Sequence, residues 1–444
     1  MTISDLSARP SRVTAYADAR AVLDQPLLVP EPAADVADAP VGSLSWLRAT
    51  VARFTGDAQA HARRRAHAEA ELARLDSYEL RRTAAGSAVA ADDRHTVVRI
   101  LAEELGLPSP EAVADAVVTV SAGYFGGELT PVQAKAADEA VASLLAGIAE
   151  GEGTQDLEAA AQRIGLLVQA CDATARLVEH ARRAAPDGFA PGGADALLAQ
   201  VLRQDPPVTA LRRRALADVC VGALELRAGE AVLVDVTAAQ QGAPAGGDRS
   251  DPDGPVHDDP AVLAFGAGPH RCPGRTQALA LAAGLLERDD PAALVTDAVA
   301  RALDLVATWT AWDGRPLAVE ERVYTPHKVI RRIADHLVDH LAELEARLVG
   351  EEPEPDHWHA STTTTPADLA PFTTDDLEEA RSRLVRLGRI WADRLGALTD
   401  TQLDRSPGQG WSFRLLAAHV AGSLDYYAGA VGRLGTGAQP KEQG

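Results

Sequence analysis

Cysteine is scarce in this chain of 444 residues, and apolar runs of transmembrane length are missing. Cys171, Cys220 and Cys272 are an odd number, and the first residues show no basic stretch followed by an apolar run. We therefore expect no disulfide framework, no signal segment and no membrane anchor. These absences predict a cytoplasmic protein.

An excess of basic residues is missing as well. The 43 Lys and Arg residues stand against 64 Asp and Glu residues, which gives a formal net charge of −21. Because phosphate binding needs clustered Lys and Arg, this balance argues against a nucleic-acid surface and is better explained by solubility. Flavin and nicotinamide motifs and repeats of fixed period are not found.

Helical spacing of Ala, Leu, Val and Arg dominates the chain and predicts a mainly α fold with small β elements. The strand candidates are residues 12–16 and 231–236. Residues 240–259 are rich in Gly, Pro and Asp and should form a loop without a core of its own. A second break at 350–376 interrupts the helices.

One glycine-rich segment, FGAGPHRCPG at residues 265–274, precedes a predicted helix. Gly266, Gly268 and Gly274 allow positive φ or close approach to a flat ligand, and the two prolines stiffen the segment. The helix begins just after Cys272, so its unpaired N–H groups favour a thiolate there over a thiol.

A thiolate in such a loop suits an axial haem ligand. Phe265 supplies an aromatic ring on one side, and His270 can contact a propionate. The alternative is a buried structural cysteine in a Gly-rich turn. The segment fits the pattern F-G-x-G-x-H-x-C-x-G and resembles the cysteine loop of the cytochrome P-450 family, the haem-thiolate monooxygenases.

This resemblance implies further haem contacts. His61 and Arg65 match the H-x-x-x-R pattern of a propionate-binding helix, and positions i and i+4 share one helical face. The alternative is a solvated arginine-rich face. Arg213 is a candidate for another propionate contact, and Arg212 and Arg214 compete for that assignment.

Residues 164–178 resemble the family's distal helix, where an acid and an alcohol deliver protons to bound oxygen. Asp172 matches the acid, but Ala173 occupies the alcohol position. Thr174 lies about 100° further round the helix and would reach the oxygen site only through a local bulge. The alternative is an ordinary buried helix that tolerates an Asp.

One motif departs from the family. Where the E-x-x-R ion pair is expected, this chain has Gln200 and Arg203. The charge-assisted pair is lost and a buried Arg203 would keep less compensation, so we expect folding or haem retention to suffer.

The C-terminal part resembles DinB-like four-helix bundles, which include metal- and thiol-dependent enzymes. Trp411 opens a W-S-x-R-x-x-x-x-H segment that ends at His419, and His336 and His340 lie four apart on one helix. The resemblance implies that these three histidines form a metal triad. The order of the two segments is unusual, and a complete bundle needs the helices around 293–308 and 377–398. The alternative is ordinary surface or core histidines.

The sequence thus predicts three parts: a cytochrome P-450-like haem domain at 1–290 with a short N-terminus, a DinB-like bundle at 291–436 and a disordered tail at 437–444. The P-450 resemblance covers about residues 12–288 and implies haem b on Cys272, oxidation of a small organic substrate and a separate ferredoxin or flavoprotein as electron donor. The alternatives are a catalytically degenerate haem-binding or scaffold protein, or a metal-dependent transferase in the C-terminal part.

Overall fold

The computed structural model describes residues 10–31, 39–152, 156–186, 193–243, 261–319, 321–359, 362–407 and 410–434. The chain divides into two compact units: unit 1 contains Met1–Ala84, Ala90–Ala190 and Ala194–Ala283, and unit 2 contains Ala85–Val89, Pro191–Gly193 and Gly284–Gly444. Most of the loop expected at 240–259 and the whole tail expected at 437–444 lie outside the described residues. The domain boundary at 290 stays a prediction.

Helices make up most of both units, which confirms the mainly α fold class. The helices before residue 290 are α1 (Tyr16–Asp24), α2 (Leu44–Thr50), α3 (Ala58–Leu72), α4 (Ser77–Gly86), α5 (Asp93–Glu104), α6 (Pro110–Tyr124), α7 (Pro131–Glu152), α8 (Leu157–Ala184), α9 (Gly193–Gln204), α10 (Val236–Gln241) and α11 (Arg275–Asp289). Over the described ranges, none of the helices combines the length and the apolarity that a membrane crossing requires.

The long helix α8 is the centre of unit 1, where α3, α5, α6 and α7 pack against it. Its start is fixed by Asp156, whose side chain accepts hydrogen bonds from the backbone N–H groups of the first turn. Gly165 permits close packing in the middle, because a Cβ there would lie 2.9 Å from the Val51 side chain and 3.3 Å from the Tyr124 hydroxyl. α8 is therefore a rigid wall for whatever lies beside it.

A small mixed sheet flanks these helices. Its strands are β1 (Ser11–Val13), β2 (Leu28–Val29), β3 (Ala210–Ala215) and β6 (Ala231–Asp235), in the order β1-β6-β3-β2. β1 pairs in parallel with β6, whereas β3 is antiparallel to both β6 and β2. Between β3 and β6 in the sequence, β4 (Val219–Val221) and β5 (Leu224–Leu226) form an antiparallel hairpin.

Unit 2 is built around four helices, α12 (Pro291–Val306), α13 (Pro326–Val349), α14 (Thr374–Gly396) and α16 (Phe413–Val431), with the short α15 (Asp400–Leu403) and the hairpin β7 (Leu317–Val319) and β8 (Arg322–Tyr324). α12 and α13 each pack against both α14 and α16, which closes a four-helix bundle. The two helices expected to complete the bundle are thus observed. The buried indole of Trp391 donates to the Leu337 carbonyl at 2.9 Å and fixes α14 against α13.

Candidate functional site

A largely apolar cavity of about 260 Å³ lies inside unit 1. The α8 side chains Leu166, Ala170, Ala173 and Leu177 form part of its wall, and Cys272 lines it as well. Cys272 is accessible although protein atoms surround it, because its side chain faces the cavity. The cysteine loop predicted from the sequence therefore presents its sulfur to this cavity.

Two glycines give the cysteine loop its shape. Gly266 (φ 72°) and Gly268 (φ 64°) adopt left-handed conformations that disfavour other residues. A Cβ at Gly268 would lie 2.6 Å from the Leu23 carbonyl oxygen and 2.8 Å from the Asp24 Cα, so only glycine fits there. The Cys272 N–H donates to the Phe265 carbonyl at 2.7 Å and closes the loop.

Opposing influences act on the charge state of Cys272. The Gly274 N–H points to the sulfur, and Arg65, Arg53 and Arg275 add positive charge. Burial nevertheless outweighs these groups and raises the pKa of the Cys272 thiol. The helix start thus acts in the expected direction, and the thiolate at Cys272 stays a prediction. A metal ion at the sulfur would have to displace the proton.

Two imidazoles stand beside the loop. His61 lies on α3 and His270 in the loop, and their ring centroids are 4.2 Å apart. Burial, with smaller contributions from His61 and from the nearby arginines Arg213, Arg65 and Arg53, lowers the pKa of His270 to about 3. Burial also lowers the pKa of His61. Both rings are therefore neutral in this arrangement, and a bound anion would raise both pKa values.

Arg65, the partner of His61 in the H-x-x-x-R pattern, also lines the cavity. Its guanidinium donates to the Arg271 carbonyl at 2.6 Å and to Glu69 at 2.8 Å. It thus ties α3 to the backbone of the cysteine loop.

The structure distinguishes between the three consecutive arginines of β3. Arg212 and Arg214 both pair with Glu31. Arg213 is 2% exposed, donates to the Arg212 carbonyl at 3.0 Å and, within the described ranges, has an Nε without a hydrogen-bond partner. Burial, together with repulsion from Arg53, lowers the pKa of Arg213 to about 10.

These groups fit the cofactor that the sequence predicts. Arg53, His61 and Arg65 line the cavity, whereas none of its described wall residues is Asp or Glu. Among the described residues, the buried Nε atoms of Arg53 and Arg213 have no hydrogen-bond partner, which is costly, and two carboxylates entering beside Arg213 and His270 would supply partners. A flat macrocycle with two propionates and a metal that takes a sulfur ligand has the required chemistry.

The distal helix places its polar residues differently from the expectation. Ala173 and Thr174 both line the cavity, and α8 is α-helical throughout its span, so Thr174 needs no bulge to reach it. Asp172 is not among the lining residues. It is half-buried and lies 3.8 Å from the Arg94 guanidinium on α5. Asp172 as proton donor stays a prediction, with Arg94 as its partner.

Gln200 and Arg203 lie on α9, and both are exposed. The Gln200 amide contacts Gln204 at 3.4 Å. The expectation of a buried, poorly compensated Arg203 is therefore wrong, because solvent can screen its charge.

Unit 2 brings together the three histidines predicted as a metal triad. His336 and His340 on α13 and His419 on α16 each offer a ligand atom, and these atoms lie within 4.8 Å of one another. His336 is 6% exposed, and its Nε2 has no hydrogen-bond partner in the part of the chain that the structure describes. Burial and the two neighbouring histidines lower the pKa of His336 to about 2, so its imidazole is neutral, as a metal ligand would have to be.

A carboxylate orients the triad from outside. Glu343 lies 2.7 Å from the Nδ1 of His340 and 2.8 Å from the Arg347 guanidinium. The indole of Trp411 packs on His419 with ring centroids 4.6 Å apart. Such an outer carboxylate is typical of histidines that bind metal, and the sequence did not single out Glu343.

No family model matches this chain, and no curated protein matches it. Similar solved structures include P450BioI in complex with an acyl carrier protein that carries hexadec-9Z-enoic acid (18% identity over 64% of this chain and 85% of that one, TM-score 0.47). CalO2 (22%, 63% and 83%, TM-score 0.48) and the mixed-function P450 MycG (24%, 63% and 84%, TM-score 0.45) are also similar. The similar structures thus include P450 proteins, the family whose cysteine loop residues 265–274 resemble.

Proposed function

We propose that unit 1 binds haem b through the Cys272 sulfur and acts as a cytochrome P-450-like monooxygenase on a small organic substrate in the cytoplasm. The observation that carries this proposal is the cavity itself. It joins the Cys272 sulfur to a set of cationic and imidazole groups, and no carboxylate is found among its described wall residues. Electrons would come from a separate ferredoxin or flavoprotein.

The proposed haem contacts follow from the geometry of the loop. Cys272 would hold the iron, and His61, His270 and Arg213 would hold the propionates. Arg65 would position the loop through the Arg271 carbonyl. When bound, the haem supplies the oxygen and one-electron chemistry that side chains lack.

The chain's own groups would serve the reaction in two ways. The leucines and alanines of the wall exclude water and hold an apolar substrate. The Thr174 hydroxyl, 2% exposed and on the cavity side of α8, can hold a proton near the reacting atoms. Asp172, half-buried beside Arg94, would exchange protons between solvent and that face of the helix.

The test is the absorbance spectrum of the reduced protein with carbon monoxide. We expect the red-shifted Soret band of thiolate-ligated haem, and we expect Cys272→Ala to remove it. Cys220→Ala is the matched control, because Cys220 is exposed on β4 and lies away from the cavity wall. Wild-type protein without haem after expression in haem-replete cells would refute the proposal. Haem binding without oxidation of any substrate would favour the degenerate alternative.

A second function is favoured by the histidine cluster of unit 2. We propose that His336, His340 and His419 bind a divalent metal and that unit 2 is a DinB-like, metal-dependent transferase. The unpartnered Nε2 of His336 in a cluster with Glu343 behind it supports this proposal.

Zinc titration of the full chain tests it. We expect one zinc per chain bound outside the haem, and we expect its loss in His336→Ala and His419→Ala. His327→Ala is the control, since His327 lies on the same helix and packs on Phe372 instead. Equal zinc binding by wild type and His336→Ala would contradict the proposal.

A further inference from the structure

Two arginines next to the cavity share an aromatic ring. The Arg48 guanidinium at the end of α2 lies 5.0 Å from the centroid of Phe54, and the Arg53 guanidinium lies 5.8 Å from the same centroid. Arg53 also lies 5.2 Å from the ring of Phe125. Phe54 is 7% exposed, so the two cations are held against a fixed apolar surface.

Within the described ranges, neither Arg48 nor Arg53 has an ion pair, and the Nε of each is buried without a hydrogen-bond partner. Arg64 differs, because it donates to Glu158 at 2.6 Å and to the Ala49 carbonyl at 2.8 Å. A chain with a net charge of −21 does not lack carboxylates. Two neighbouring guanidiniums left without one therefore indicate a place for an external anion.

Among the residues that the structure describes, none supplies a carboxylate to either arginine. Tyr124 is fully buried near both arginines, and the Gln169 side chain donates to its hydroxyl at 3.2 Å. Burial raises the pKa of Tyr124, so its hydroxyl stays neutral. Within the described ranges, no carboxylate therefore compensates the positive potential of the pair.

Arg53 and Phe125 both line the cavity. The rest of the wall is dominated by leucine and alanine, including Leu101, Leu105 and Leu177. A ligand that satisfies both features has an apolar body and one anionic end. Arg65, the other arginine of the described wall, already pairs with Glu69, so such a ligand would place its charge at Arg53.

We propose that Arg53, supported by Arg48, binds the carboxylate of a hydrophobic carboxylic acid, and that such acids are the substrates of unit 1. Arg53 contacts the carboxylate, and Arg48 increases the positive potential at that point. That the bound acid is oxidised depends on the haem function proposed above, whereas its binding does not. A haem propionate is the other source of a carboxylate at Arg53, and the test separates the two.

The experiment is calorimetric titration of the full chain with decanoate and with decan-1-ol, which share an apolar body and differ in charge. We expect decanoate to bind at least about tenfold more tightly, because a charge-assisted pair in a partly enclosed site contributes a factor of this size. Arg53→Gln should bring the two affinities together and leave that of decan-1-ol within twofold. Arg48→Gln should reduce the preference in part, and Arg53→Lys should retain part of it.

Arg20→Gln is the matched control, since it removes the same charge from an exposed i,i+4 pair on α1 and should leave both affinities unchanged. Equal binding of acid and alcohol by the wild type would overturn the proposal, as would a preference that survives in Arg53→Gln. If Arg53→Gln lowers haem content while the preference persists, the propionate is the partner and the proposal is wrong. If Arg53→Gln does not fold, Arg48→Gln decides. Protein without haem that still prefers decanoate refutes the haem function and leaves this inference intact.

Discussion

Replacing Arg213 by methionine should have opposite effects on the haem-free and the haem-loaded protein. Arg213 is 2% exposed, makes one hydrogen bond to the Arg212 carbonyl and, among the described residues, has no partner for its Nε. Burial, with repulsion from Arg53, lowers its pKa from 12.5 to about 10. Because the folded-state pKa is the lower one, the charged form destabilises the fold at every pH below 10.

The magnitude follows from that pKa shift. One pKa unit corresponds to about 1.4 kcal/mol, so carrying the charge at neutral pH costs roughly 3 kcal/mol. Methionine removes this cost and loses one hydrogen bond that contributes about 1 kcal/mol. We therefore expect Arg213→Met to stabilise haem-free unit 1 by about 1 to 3 kcal/mol.

Haem binding should change in the other direction. A charge-assisted hydrogen bond from Arg213 to a propionate contributes about 1.5 to 3 kcal/mol. Its loss should raise the Kd for haem roughly ten- to hundredfold. A side chain that destabilises the haem-free protein and stabilises the haem complex behaves as a binding residue should.

Urea unfolding followed by thiol labelling measures the stability of unit 1. All three cysteines lie in this unit; Cys220 and Cys272 are exposed, and Cys171 is buried. The Cys171 thiol should therefore react slowly, and its labelling reports the unfolding of unit 1. Haem affinity comes from absorbance titration. Arg212→Met is the control, because Arg212 is half exposed and paired with Glu31. A less stable haem-free Arg213→Met protein, or an unchanged haem Kd, would show that Arg213 is structural.

Further expectations concern stability, turnover and metal. Glu158→Gln should lower the free energy of unfolding of unit 1 by about 1 to 2 kcal/mol at pH 7, as measured by urea unfolding; this figure is discounted because one of the two arginine partners of Glu158 is exposed. Because these arginines lower the Glu158 pKa to about 2, the stability difference should disappear as pH falls from 4.5 towards 2. A difference that stays constant over this pH range would contradict the prediction. Thr174→Val should leave the carbon monoxide spectrum intact and lower turnover about tenfold or more, whereas unchanged turnover would exclude a proton role. Glu343→Gln should weaken zinc binding about ten- to hundredfold by titration, and unaltered affinity would remove Glu343 from the site. Arg414→Met should destabilise unit 2 by about 3 to 5 kcal/mol by tryptophan fluorescence, because Arg414 is fully buried and pairs with Asp404 at 2.7 Å; a loss below 1 kcal/mol would refute this.

The parts of the cavity that the sequence predicted are those whose spacing is local. In the cysteine loop, glycine, histidine and cysteine positions follow from backbone geometry within ten residues, and Gly268 has no room for another side chain. His61 and Arg65 share a face because they are four apart on one helix. Both line the cavity.

Nonlocal partners were not predictable in this way. Asp172 was assigned by alignment to a proton relay, but the contact with Arg94 depends on how α5 packs against α8. The strand β3 was missed, because its sequence ALRRRA shows no regular alternation of apolar and polar residues. Arg53 carries no motif, and its importance depends on which carboxylates are absent around it in the described fold.

The histidine cluster of unit 2 shows that segment order is a weak guide to geometry. The paired histidines precede His419 in the chain, which is unusual for the family that the segment resembles. Side chains from facing helices meet in the core of a closed four-helix bundle whatever their order. α13 and α16 are neighbours, so their histidines come within 4.8 Å. The DinB-like assignment itself stays a prediction.

Three of the buried nitrogen atoms without hydrogen-bond partners in the described chain lie at the two proposed binding sites. Arg213 and Arg53 are beside the unit 1 cavity, and His336 is in the triad. Each such atom costs about 1 to 3 kcal/mol, and an apolar residue of similar volume would avoid that cost. Such unpartnered atoms are expected to cluster beside a cavity or among metal-ligand side chains when a ligand supplies their missing hydrogen-bond or coordination partner. If the two units bind haem and zinc as proposed, binding should raise their stability, and ligand-free protein should unfold at lower urea concentration than loaded protein.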